Sequence, residues 1–134
     1  MKVSSTIKNS SQQNEMTVKT ENSTKSIMIP AKSVGGGSSV NGAELLFLSL
    51  ATCYCNDIYR EAAKRSIIID SVEVTVTGEF GSEGEPARNI GYQVDVKSAQ
   101  TSDPEIERLI EYVDHIAEIH NTLRKGIAVT LVRT

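Results

Sequence analysis

In the run Gly35-Gly36-Gly37-Ser38-Ser39-Val40-Asn41-Gly42-Ala43-Glu44-Leu45-Leu46-Phe47-Leu48-Ser49-Leu50-Ala51-Thr52-Cys53-Tyr54-Cys55, a flexible connector gives way to an apolar helix. The three glycines and two serines favour a bend. They are followed by no Walker-type Lys-Ser/Thr and preceded by no buried strand with dinucleotide spacing, so they do not read as a phosphate cradle. Asn41 with Glu44 three residues later has the pattern of a capping box. The spacing predicts a helix from Asn41 to Lys64 or Arg65. Its first half is apolar nearly all round, as in an element buried on several sides. Its second half turns polar, with Asn56, Asp57, Arg60, Glu61 and Lys64.

On the N-terminal side, Met16 to Thr20 and Ser26 to Ile29 alternate like strands, joined by a hairpin turn at Glu21-Asn22-Ser23-Thr24. Residues 1–14 are either a flexible tail or, over Val3 to Lys8, a further edge strand. On the C-terminal side, Ile67 to Phe80 and Ile90 to Val96 read as two strands around the turn Gly81 to Pro86. A bulge is expected at Asn89-Ile90-Gly91. A second helix is predicted from Ser102 or Asp103, with Pro104 in its first turn and a Ser102–Glu105 box. Ile106, Leu109, Ile110, Val113, Ile116, Ala117 and His120 form one stripe at helical spacing. After Gly126, Ile127 to Val132 is predicted as a final short strand. The fold class is α+β: N-terminal strands, a central buried helix, a two-strand hairpin, a second helix and a last strand.

The 134 residues amount to one domain, 1–134. With 39% hydrophobic residues and no Trp, its own core is modest, and apolar segments beyond that core argue for oligomerisation. A net charge of −3 and scattered Lys and Arg argue against a nucleic-acid or anionic-membrane partner. Met1 to Thr6 is polar and lacks the apolar core of a signal peptide, and Leu45 to Ala51 is far too short to cross a bilayer. The expected compartment is the cytoplasm, where thiols stay reduced. Two cysteines one residue apart suggest neither a structural disulfide nor a zinc site. No cofactor or metal is expected.

Cys53 and Cys55 point to nearly opposite sides of the first helix and cannot bridge without unwinding it. Cys53 shares its face with Leu46, Ser49, Leu50, Asp57 and Arg60. Asp57 would raise the thiol pKa and Arg60 would lower it, or the two would pair with each other. Residue statistics alone favour a cysteine packed as a hydrophobe. His120 is either a helix-end histidine bonded to a carbonyl or a group facing Cys53. His115 lies on the opposite, polar face.

Gly35-Gly36-Gly37 leading to Glu44-Leu45-Leu46 and Leu50-Ala51-Thr52-Cys53 resembles the OsmC family, which includes the organic hydroperoxide resistance proteins. Ala62-Ala63-Lys64-Arg65 before Ile67 to Ile69 agrees with it, as does His120-Asn121-Thr122-Leu123-Arg124-Lys125-Gly126. The resemblance implies an intertwined α+β homodimer with buried central helices. It implies Cys53 as the nucleophile and a glutamate, at Glu44, as a supporting group; Arg60 and His120 are the candidates in this chain to stand in for the family's activating arginine.

The chain departs from the family pattern. The family's second, resolving cysteine falls on Ala117, and the proline after it falls on Glu118. The family's N-terminal arginine has no counterpart, since no arginine precedes Arg60. The family's glutamate aligns with Glu44 or with Ala43. Two functions are therefore implied. One is a one-cysteine reduction of organic hydroperoxides at Cys53 in oxidative stress defence, recycled by an external thiol. The other is a catalytically degenerate dimer that binds a small apolar ligand or a protein partner.

Overall fold

The structure is a computed structural model that describes residues 1–133. Its elements run β1 (Val3–Ser10), β2 (Gln13–Thr20), β3 (Ser23–Ile27), α1 (Gly42–Lys64), β4 (Ser71–Glu79), β5 (Arg88–Lys97), α2 (Asp103–Ile116) and α3 (Glu118–Arg124). The class is α+β. The chain divides into two compact units, Met1–Leu45 and the residues from Leu46 onward.

The first unit is an antiparallel meander in the order β1-β2-β3. Residues 3–10, one of the two readings of the N-terminus, are strand. Ser11-Gln12 at φ 48° and 62° and Glu21 at φ 50° turn the chain through two-residue loops of the left-handed kind that suits twisted hairpins. The strands β1 and β3 are exposed throughout, and only β2 has a half-buried face. The glycine run closes a small loop. Gly35, Gly36 and Gly37 all have φ above +70°, where a side chain would be strained, and Ser39 N–H donates to the Pro30 carbonyl at 2.9 Å.

The helix α1 starts as its capping box requires: Asn41 N–H donates to Glu44 Oε2 at 2.7 Å, and Glu44 N–H donates to Asn41 Oδ1 at 2.9 Å. In the second unit, Tyr54, Ile58 and Ala62 of α1 pack with Leu109 and Val113 of α2 and with Ala117. The inward side of the β4–β5 hairpin (Val72, Val74, Tyr92, Val94 and Val96) covers this cluster. In the hairpin, Thr77 pairs with Gly91 and Glu79 with Arg88, so β5 carries one extra residue at Asn89-Ile90. Asn89 takes up the bulge at φ 53°. Gly78 leaves room for the ring of Phe47, whose Cζ would lie 2.6 Å from an added Cβ.

Three expectations need correction. The second helix is broken at Ala117, which is extended at ψ 104°. The Asn121 side chain donates to the His115 carbonyl at 3.0 Å and replaces a helical hydrogen bond there. Ser102 caps α2 without a bond to the backbone, because its hydroxyl donates to the Glu105 carboxylate at 3.0 Å instead. Ile127 to Val132 forms no strand. Its alternation supplies a half-apolar face, but among the described residues no strand edge pairs with it.

Candidate functional site

Cys53 sits in the middle of α1, half-buried, with its thiol 3.8 Å from Asp57 Oδ2 one turn on. Asp57 is only 3% exposed and turns its other oxygen to Arg60, with Nη1 2.6 Å from Oδ1. Arg60 Nε also reaches Glu61 Oε1 at 3.2 Å. Of the two sequence alternatives, the ion pair between Asp57 and Arg60 is the one formed.

The break at Ala117 brings the start of α3 to the same place. The Glu118 carboxylate joins Asp57 and Cys53 in one cluster there, with ligand atoms all within 4.8 Å. Burial pushes the Cys53 thiol up from its ordinary pKa, and the charges of Asp57 and Glu118 push the same way. The Ile119 N–H opposes them. Burial also raises Asp57, against the pull of Arg60. At neutral pH the sulfur is therefore a thiol beside a carboxylate, not a standing thiolate. One thiolate and two carboxylates are also a possible ligand set for a cation, but Arg60 already neutralises Asp57.

His120 is 5% exposed, and neither ring nitrogen has a partner. The expected carbonyl bond is not made. The imidazole instead lies edge-on to Tyr54 and Tyr92, at 5.5 and 4.8 Å between ring centres. Burial, then the nearby Arg124 charge, lowers its pKa and keeps it neutral. The Tyr54 hydroxyl donates to the Ile110 carbonyl at 2.5 Å. The Tyr92 hydroxyl donates to Asp114, which Arg124 also grips at 2.6 Å. This aromatic and ionic group borders an open cavity of about 430 Å³ lined by Tyr54, Tyr92, Glu107, Ile110 and Asp114.

Glu44 is committed to its cap at the start of α1. No hydrogen bond joins Glu44 or His120 to the Cys53 sulfur among the described residues. Sequence reasoning missed Glu118 and Ile119, because a continuous second helix would have turned them elsewhere. Ala117 is fully buried in the core cluster.

Residues 35–132, well over half the chain, match the family model for OsmC-like proteins. The chain belongs to the OsmC family. Among solved structures it is similar to an OsmC-like protein from Mycoplasma pneumoniae, 22% identical with a TM-score of 0.62, over 92% of this chain and 89% of that one. It is also similar to an organic hydroperoxide resistance protein from Bacillus subtilis, 16% identical with a TM-score of 0.56, over 94% and 93% of the two chains. A third is an organic hydroperoxide resistance protein from Legionella pneumophila, 16% identical with a TM-score of 0.56, over 90% and 89%. At these identities the likeness is one of fold. No curated protein matches the chain. No described helix is long and apolar enough to cross a membrane.

Proposed function

We propose that this OsmC-family chain is a one-cysteine redox protein that reduces organic hydroperoxides at Cys53. The carrying observation is the thiol on the central helix, half-buried and in contact with the buried Asp57 carboxylate. Attack on the peroxide gives an alcohol and a Cys53 sulfenic acid. With alanine at position 117, an external thiol condenses with that sulfenic acid to a mixed disulfide, and a second thiol releases Cys53. Arg60 acts through Asp57, while Glu44 and His120 support the helix and its packing.

The chain works as a single domain and as a homodimer in the cytoplasm. Two observations support the dimer. The strands β1 and β3 have no buried residue, and Ile127, Val129 and Leu131 are 60%, 99% and 79% exposed. Such edges and apolar side chains suit exchange with a second copy.

The test is loss of cumene hydroperoxide with dithiothreitol as reductant, expected with the wild-type protein and abolished by Cys53→Ser. Consumption no faster than in the absence of protein rejects the reading. A monomer by sedimentation equilibrium at micromolar concentration rejects the dimer.

A second reading has its own support in the raised thiol pKa and the alanine at position 117. In it the chain is a degenerate member that holds a small apolar ligand or a partner. A thiol pKa measured well below 7 counts against it.

A further inference from the structure

Three groups stand on successive positions of one face of α1: the Cys53 thiol, the Asp57 carboxylate and the Arg60 guanidinium. Asp57 Oδ1 is 2.6 Å from Arg60 Nη1, which leaves Oδ2 turned to the sulfur at 3.8 Å, within the longer reach of a thiol donor. Asp57 is buried, so water does not compete for that oxygen. The charged and titratable groups facing Asp57 are Cys53 and Arg60 from α1 and Glu118 from α3. Glu61 shares Arg60 but is itself bound by Lys64 and Arg65. Among the described residues, the groups around Cys53 include two carboxylates and no histidine or lysine. A mechanism that waits for free thiolate would draw on a minor species here. A mechanism that starts from the thiol needs a base in contact with it, and Asp57 is the buried, oriented one.

We propose that Asp57 is the general base that takes the Cys53 proton, with Arg60 as the positioning residue that holds its carboxylate. The inference rests on the one-cysteine reading for its substrate. Sγ attacks the distal oxygen of the hydroperoxide, so an S–O bond forms and the O–O bond breaks. The thiol proton passes to Asp57 Oδ2 and from there to the departing alkoxide, which leaves as the alcohol. The sulfur is oxidised to a sulfenic acid, the peroxide is reduced, and Asp57 ends as the carboxylate that began the step.

The test is the rate of Cys53 modification from pH 5 to 9, read by peptide mass spectrometry. Cumene hydroperoxide and iodoacetamide are the two probes, so that the base and the peroxide chemistry are judged separately. The wild-type rate should be level between the ionisation of Asp57 and that of the thiol. D57N should be slower by roughly a hundredfold at pH 7 and should climb about tenfold per pH unit, while D57E recovers part of the rate. The proposal is overturned if the wild-type rate already climbs about tenfold per unit. It is also overturned if D57N is faster at pH 7, the result expected if Asp57 only repels a thiolate. A level profile with iodoacetamide but no reaction with the hydroperoxide supports the base and removes the hydroperoxide reading. If D57N does not fold, the wild-type profile alone decides.

Discussion

Asp57 and Glu61 stand one turn apart on α1, both buried, and are driven in opposite directions. Glu61 is held down to about 2, first by the Lys64 hydrogen bond and then by Arg65, with Arg60 as a third donor. Asp57 has Arg60 alone, and burial raises it. Burial of a carboxylate therefore does not fix the sign of its shift; the number and geometry of the cations around it do. The consequence is a division of labour along one face. Glu61 is a structural hub of low basicity, and Asp57 keeps enough basicity to act on the neighbouring thiol.

The largest expected effect breaks both regions at once. Ile58, next to Asp57 and three residues before Glu61 in the chain, is fully buried in the seam with α2. Ile58→Ala should lower the unfolding free energy by about 3 kcal/mol, from lost transfer energy plus the cavity left behind. Urea denaturation measures it, and a loss under about 1 kcal/mol would mean that this face of α1 is not a core.

Next comes the cation that Asp57 cannot replace. Arg60→Ala should cost about 2 kcal/mol, the figure for breaking a buried pair discounted because the guanidinium is half-exposed. It should also raise Asp57 further, so the alkaline-going rise in Cys53 reactivity begins at higher pH than in the wild type. An unchanged profile would remove Arg60 from the site.

The acid limb of stability separates the two carboxylates by sign. Glu61 has a folded pKa below its unfolded value of 4.5. Its contribution is present above the unfolded value and lost as pH falls toward about 2. Asp57 is raised above 3.8, so its contribution runs the other way: present at low pH and lost as pH rises through its folded pKa. Between pH 5 and 2, Glu61→Gln should flatten the fall in stability and Asp57→Asn should steepen it. Denaturation midpoints across that range check both, and parallel slopes for the two variants would undo the comparison.

How much of this could be read from the residues differs between the two carboxylates. The Asn41–Glu44 box, the start of α1 and the alternation from Val72 to Thr77 were all plain, because each is a local pattern with a local cause. The Asp57–Arg60 pair was legible from helical spacing. The Glu61 hub was not: a Glu among Arg60, Lys64 and Arg65 reads as a solvated face, and only the covering contacts bury it. Glu118 and Ile119 were hidden for a different reason. The apolar stripe from Ile106 to His120 keeps helical period straight through Ala117, and the break is accompanied by a side-chain bond from Asn121 to the His115 carbonyl that no periodicity encodes. The last strand failed because alternation specifies a face but not a neighbour, and Ile127 to Val132 has none among the described residues.

Redundancy at Glu61 can be tested one cation at a time. Arg65 makes two kinds of contact: Nη1 is 2.9 Å from Glu61 Oε2, and the guanidinium lies 4.4 Å from the centre of the Tyr112 ring. Arg65→Ala should cost about 1 kcal/mol. Arg65→Lys should recover only part of it, since an ammonium loses the planar contact with the ring.

Lys64 should matter least, although its 2.7 Å bond is the shortest of the three and the first cause of Glu61's low pKa. Its side chain is 61% exposed, so it gives up rotamer freedom to make the pair and is screened by salt. Removing it leaves Glu61 with Arg60 and Arg65, which together still satisfy both carboxylate oxygens. Lys64→Ala should therefore cost about 0.5 kcal/mol or less, and that loss should vanish at high salt. Thermal melts at low and high ionic strength decide it. A large, salt-independent loss would mean that Glu61 needs all three cations. The contrast with Asp57 would then be one of degree, each carboxylate depending on every cation it holds.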